Sequence, residues 1–315
     1  MKRSHLILAL AGLAVSLILP LVVRSDYHLQ VLFRIYLFAA LGLAWNLVGG
    51  YTGQLSLGHA AFFGAGAYGL ALFARAGMPM GMALVLLVAL ALAFALLIGG
   101  VSFRLRGPYF ALATIAFAEV LHATAKNLPS VTGGDVGIQV PALFHDHVQR
   151  SFCYCAILLA AAALAATGVI SRSRFGYYLM AIREDQDTAL SVGVPAARTK
   201  LNALLVSAAF TALGGALYGS LFLFIVPDQV LSLDISNEIA IVAMLGGAGT
   251  LAGPVVGAVV LESASELFKN VFQEAHLLIY GLLLIVVVLF LPEGIVGSVG
   301  ALLRRRRRKQ GQGAG

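Results

Sequence analysis

Long stretches in which nearly every position is apolar, separated by short polar or glycine- and proline-bearing breaks, dominate the chain. About 20 such residues is the length an α-helix needs to cross a bilayer core of roughly 30 Å. Runs of this kind predict helices over residues 6–23, 31–48, 58–74, 81–103, 108–125, 152–170, 201–226 and 277–291. A further apolar stretch, residues 235–268, is divided by the glycine-rich centre GGAGTLAGP at 246–254. It either crosses twice or dips in and returns, with Gly246, Gly247, Gly249, Gly253 and Pro254 forming the break. The pattern predicts an all-α, polytopic membrane protein of about 8–10 helices, because helices satisfy their own backbone where water is absent.

Composition supports that class. With 60% hydrophobic and 11% charged residues and a mean hydropathy of +0.93, a water-soluble fold would leave large apolar patches exposed. The spans use up most of the 315 residues, which gives one transmembrane domain over residues 1–303 and a basic tail over 304–315. Lys2 and Arg3 precede an apolar run with no small-x-small cleavage site before Arg24, so residues 6–23 read as an uncleaved first span. Cys153 and Cys155 point in different directions on a helix and suit core packing rather than a disulfide or metal site.

The net charge of +7 does not point to nucleic acid, since Arg304 to Arg308 and Lys309 form one run after the last apolar segment, where anionic lipid attracts it. An even number of crossings through 235–268 puts fifteen of the twenty-one basic residues on one side, including the tail. Because Lys and Arg favour the cytoplasmic side, both termini are expected in the cytoplasm of a bacterial inner membrane. Residues 171–200 then form the longest inner loop, and residues 126–151 an outer one.

The chain contains no G-x-x-x-x-G-K-[ST] phosphate loop and no nucleophile or metal arrangement, so neither catalysis nor ATP hydrolysis is expected of it. His59 is the only charged or imidazole side chain between Tyr51 and Arg75, and Glu119 and His122 stand three apart on one predicted helix. Ionisable groups at membrane depth are costly and invite functional readings. Gln54, Ser56 and His59, in a glycine-rich segment, are candidates for lining a translocation pathway; close helix packing is the alternative. Glu119 and His122 read equally as a local hydrogen-bonded pair. No further carboxylate is expected near mid-membrane, which weighs against a proton-coupled carrier. Thr132, Gly133, Gly134 and Asp135 form a tight turn on the outer side and are candidate loop contacts there.

In the inner loop, residues 180–192 predict a short helix, stopped by Gly193 and Pro195, with Glu184, Asp185 and Asp187 where the helix dipole favours negative charge. It reads as a docking element in which Ile182, Ala189 and Leu190 enter a partner's groove and Arg183 and the carboxylates set register, or as a helix lying on the membrane surface.

Four segments together resemble the LivH/LivM permease family of branched-chain amino acid ABC importers, on its LivM side: GGYTGQLSLGHAAFFGAGAY (49–68), LRGPYFALATIAFAEV (105–120), SRFGYYLMAIREDQDTALSVGVPAARTKL (173–201) and AMLGGAGTLAGPVVGA (243–258). TGGDVGI (132–138) and GLLLIVVVLFLPEGIVG (281–297) extend the match. The resemblance implies alternating access driven from outside the chain. It implies a homologous LivH-type permease beside this one, two LivG/LivF-type ATPases holding ATP and Mg, and a periplasmic binding protein that delivers leucine, isoleucine or valine. It places a coupling helix on residues 181–193, with Arg183, Glu184, Asp185, Ala189 and Gly193 facing the ATPase. Permeases for urea, amides or other amino acids share much of the pattern. A secondary transporter or channel without ATPases is the alternative from another class.

Overall fold

The computed structural model describes residues 3–103, 105, 107–144, 146–271, 281 and 294–298. The helix expected at 277–291, apart from Gly281, the basic tail, and Lys2, Arg104, Arg106 and His145 lie outside the described residues.

Nine long helices run through the described part: α1 (Arg3–Val22), α2 (Asp26–Val48), α3 (His59–Arg75), α4 (Met80–Ser102), α5 (Pro108–Asn127), α7 (Val148–Ile170), α10 (Ala196–Phe222), α12 (Leu233–Gly246) and α13 (Gly253–Val271). Short elements join them: α6 (Pro129–Thr132), α8 (Arg174–Glu184), α9 (Gln186–Ser191) and α11 (Pro227–Val230). One two-residue antiparallel ladder, β1 (Ile138–Gln139) with β2 (Phe224–Ile225), pairs Ile138 with Ile225.

Helix α2 is the axis of the bundle. From Leu37 to Val48 every side is apolar or small except Asn46, and every one of these residues is buried against α7, α10, α12 or α13. Helix α4 is apolar all round too, yet it buries only one side, Ala83, Leu87, Ala91, Ala95, Ile98, Gly99 and Ser102, and turns Val85, Leu96, Leu97 and Val101 outward. That outward face suits lipid, which is as apolar as the side chains that meet it. Among the described residues, six helical stretches are long and apolar enough to cross a membrane: α2, α4, α5, α7, α10 and α11 with α12. Helices α3 and α10 approach at glycine: a Cβ on Gly66 would stand 1.8 Å from the Ala212 carbonyl oxygen, and one on Gly215 1.9 Å from that of Phe63.

The stretch at 235–268 forms two helices, α12 and α13, joined at the glycine-rich break. Helix α13 runs the length of α2: Thr250, just before it, meets Asn46, Glu262 meets Arg34, and Glu266 meets Tyr27 at the start of α2. The turn between α12 and α13 bears the positive φ of Gly247 (126°) and Gly249 (80°), and Pro254 occupies the first turn of α13, where its missing N–H leaves no bond unmade. Gly294 packs against Gly247, so the chain after the last predicted span returns to this end of the bundle. Helix α1 also starts there, because its later turns meet the first turns of α7, Tyr154 donating to the Leu17 carbonyl at 3.3 Å. The bundle thus has one face carrying α8 and α9 and an opposite face carrying the β1–β2 ladder and α11.

The inner-loop helix expected over 180–192 is two helices. Asp185 leaves helical geometry (φ −158°, ψ 115°) and caps α9 through its side chain, which accepts from the Thr188 N–H at 2.6 Å. Helix α10 begins at Ala196 rather than at 201, since Pro195 supplies its start.

Candidate functional site

The α8–α9 unit is built locally. Ser173 caps α8 by accepting from the Gly176 N–H, and α9 ends on Gly193, whose φ of 87° suits only glycine without strain. The break at Asp185 folds α9 back, so Ile182, Ala189, Val194 and Ala196 form a small core of their own. Ile182 and Ala189, expected to enter a partner's groove, are therefore buried by their own chain. Leu190 at 44% exposure and Val192 at 74% are left outward at the α9 end, as are Tyr177, Tyr178 and Met180 on α8. Glu184, Asp185, Asp187 and Gly193 are exposed beside them.

Three membrane elements end on this unit. The Arg183 guanidinium donates through Nη1 to the Gly50 carbonyl at 2.7 Å and lies along Gly249, where a Cβ would stand 2.1 Å from Nη1. Asn46 joins those two segments, accepting from the Gly249 N–H at 2.7 Å and donating to the Thr250 carbonyl at 2.8 Å. On the other flank, buried Lys200 of α10 donates to the Gln186 side chain of α9. The ends of α2 and of α10 are thus bonded to one surface unit, and the α12–α13 turn packs against it.

Residues 51–58 fold back into the bundle without helical geometry, and protein groups satisfy their backbone as a dry interior demands. Trp45 Nε1 donates to the Ser56 carbonyl at 2.7 Å, the Leu57 N–H donates to Thr114 Oγ1 at 3.1 Å, and the Ala60 N–H donates to Ser236 Oγ at 2.8 Å. His59 is fully buried between two serines, 3.1 Å from Ser56 Oγ and 2.8 Å from Ser207 Oγ, with Phe62 against its ring. Gln54 is half-buried, and its Oε1 has no partner. Within this chain, Ser56 and His59 sit in packed core.

On the opposite face, Lys126 bonds both oxygens of Asp228, at 3.0 and 3.1 Å, and lies 3.4 Å from Asp135. His122 bridges Asp228 at 2.8 Å and Glu119 at 3.4 Å, so the local pair is one edge of a larger network. Thr132 is buried and donates to the Ala125 and Leu128 carbonyls, which fixes the turn that Gly133 and Gly134 make at positive φ. Between this turn and the end of α3 lies a cleft of about 600 Å³, with Arg75 at its rim and Gly133, Gly137 and Gln139 along one wall.

One expectation is overturned. Carboxylates do lie inside the bundle: Arg34 of α2 binds Glu262 of α13 at 3.0 Å and Glu238 of α12 at 3.3 Å. They belong to the glycine-split stretch, whose path the apolar pattern leaves open. The usable signal is Arg34 inside the apolar run 31–48, a charge that hydrocarbon tolerates only with a partner.

The comparisons with known proteins agree with this architecture. A family model described as branched-chain amino acid transport system / permease component matches residues 27–288. The chain is 30% identical over 325 residues to the high-affinity branched-chain amino acid transport system permease protein LivM of Escherichia coli (strain K12), covering 94% of this chain and 75% of that one. It is 29% identical to LivM of Salmonella typhimurium, over 100% of this chain and 79% of that one. It is 25% identical to LivH of Escherichia coli (strain K12), over 82% and 91% respectively. No solved structure matches. A helical bundle with lipid-facing flanks, matched by the family model from α2 past the end of α13, leaves one assignment: the chain belongs to the branched-chain amino acid transport permease family.

Proposed function

We propose that this chain is the LivM-type half of the transmembrane pathway of an ATP-driven importer for branched-chain amino acids, working by alternating access in a bacterial inner membrane. The α8–α9 face is cytoplasmic, as are both termini. It receives the two LivG/LivF-type ATPases, which hold ATP and Mg. The face with α11 and the 132–137 turn is periplasmic and receives the binding protein that delivers leucine, isoleucine or valine. A LivH-type permease completes the pathway.

The observation that carries the reading is the convergence on α8–α9. Hydrogen bonds from Arg183 to Gly50 and from Lys200 to Gln186 join one exposed unit to the ends of α2 and α10, and Arg183 packs against Gly249 of the α12–α13 turn. A displacement of that unit is delivered to three membrane elements together, which is what a chain needs if the force is made by other subunits. Charge supports the orientation: Arg172, Arg174, Arg183 and Arg198 lie on this face, whereas Asp135 and Asp228 lie on the other.

The test is reconstitution of this chain with its permease partner, ATPases and binding protein in vesicles. Binding protein loaded with leucine, isoleucine or valine should stimulate ATP hydrolysis and amino acid uptake together, as the reciprocity of linked sites requires. Uptake by this chain without any ATPase would replace the reading with that of a secondary transporter. Stimulation by urea or an amide alone would change the substrate.

A further inference from the structure

Arg34, Glu238 and Glu262 meet where α2, α12 and α13 pack. Two carboxylates share the Arg34 guanidinium. Glu262 commits only Oε2 to Arg34. Among the described residues its Oε1 has no hydrogen-bond partner, although the side chain is 4% exposed. A buried charged acceptor without a donor is among the costlier arrangements in a protein and marks a place for a missing group. Arg34 and Glu238, by contrast, are 28% and 25% exposed in the single chain. At this depth hydrocarbon does not solvate them, so the group opens onto a polar path or a protein partner and not onto lipid tails.

We infer that this group is a station on the transport pathway that holds the α-ammonium of a zwitterionic amino acid, with Glu262 Oε1 as its acceptor and Glu238 beside it. The inference rests on the importer reading and deepens it. A primary ammonium brings a positive charge to a site with two carboxylates, and donors for the unused oxygen. Arg34 holds the two carboxylates in place and keeps the emptied station from being a bare pair of like charges. The aliphatic side chain needs nothing from this station, so it reads only the group common to all amino acids and leaves discrimination to another element.

The experiment uses the complete importer in proteoliposomes. Glu262→Gln keeps the shape and removes the charge. Leucine uptake is expected to fall at least ten-fold, while ATPase stimulation by loaded binding protein stays within two-fold of the parent. Uptake within two-fold of the parent overturns the inference. In a second arm, Glu238→Cys is placed in a background with Cys153→Ala and Cys155→Ala, and a cationic methanethiosulfonate is added during turnover. The thiol is expected to react, at least five-fold more slowly with excess leucine and binding protein. No reaction in any state, or a rate indifferent to leucine, overturns the inference, and this arm decides if Glu262→Gln does not assemble. Failure of the parent importer to move any amino acid on ATP would sink the importer reading instead, and is read separately.

Discussion

Arg183 and Gly50 stand 133 positions apart in the chain and are joined by one hydrogen bond of 2.7 Å, guanidinium to carbonyl, between α8 and the segment that follows α2. The same guanidinium lies along Gly249, so a single side chain ties the exposed unit to two segments that also pack on each other and are bridged by Asn46.

Removing that side chain should separate hydrolysis from transport. A hydrogen bond to a charged group is worth about 1.5–3 kcal/mol, and about 1.4 kcal/mol corresponds to a factor of ten. Arg183→Ala is expected to reduce uptake about ten-fold while the ATPases still copurify with the permease. Arg183→Lys should recover little of it, since an ammonium lacks the planar fork that reaches Gly50 and lies flat on Gly249. Equal loss of uptake and of ATPase association would mean that Arg183 serves docking rather than transmission.

Val192 and Ala189 divide the roles of α9. Val192→Asp removes no internal contact, so the folded permease should accumulate as the parent does while its affinity for the ATPases falls about ten-fold or more, measured by pull-down. Ala189→Leu overfills the core formed with Ile182, Val194 and Ala196, so it should lower thermal stability, by about 1–3 kcal/mol on the scale of overpacked cores.

His59 should behave as a structural residue. Ser207→Ala leaves His59 Nε2 buried without its 2.8 Å partner, at a cost of about 1–3 kcal/mol, seen as a lower melting temperature in detergent. Cysteine at Ser56 should resist aqueous thiol reagents throughout the cycle. Labelling that rises during turnover would show that this region opens and lines the path.

Close helix packing predicts a contrast between glycines. Gly66→Val or Gly215→Val drives a side chain into facing backbone, and folded protein should be lost. Gly100→Ala meets nothing within 4 Å and should leave yield unchanged or slightly improved.

The helices were legible because lipid imposes a length and a polarity on each span: the bounds of α3 and α4 fall within one residue of where the apolar runs stop, whereas α7 starts at Val148, four residues before its apolar run. The break at Gly247 and Gly249 was legible for the same reason as its ambiguity: glycine and proline mark a turn but not how deep it lies. The interruption at Asp185 was hidden because a carboxylate favours the first turn of a helix and its cap alike, and which one holds depends on Ala189 finding Ile182 and Val194 to pack against. The partners of His59 and Arg34 were not legible at all. Ser207, Glu238 and Glu262 lie 148 or more positions away, and only the packing of α3 on α10, and of α12 and α13 on α2, brings them together.

The account stands on α8–α9 being the cytoplasmic point at which force enters. Its most direct test is Val192→Cys, with Cys153→Ala and Cys155→Ala, probed with a membrane-impermeant thiol reagent in vesicles of both orientations. Labelling is expected only in inside-out vesicles, and it should be suppressed when the ATPases are bound. Labelling in right-side-out vesicles, or labelling indifferent to the ATPases, would contradict it.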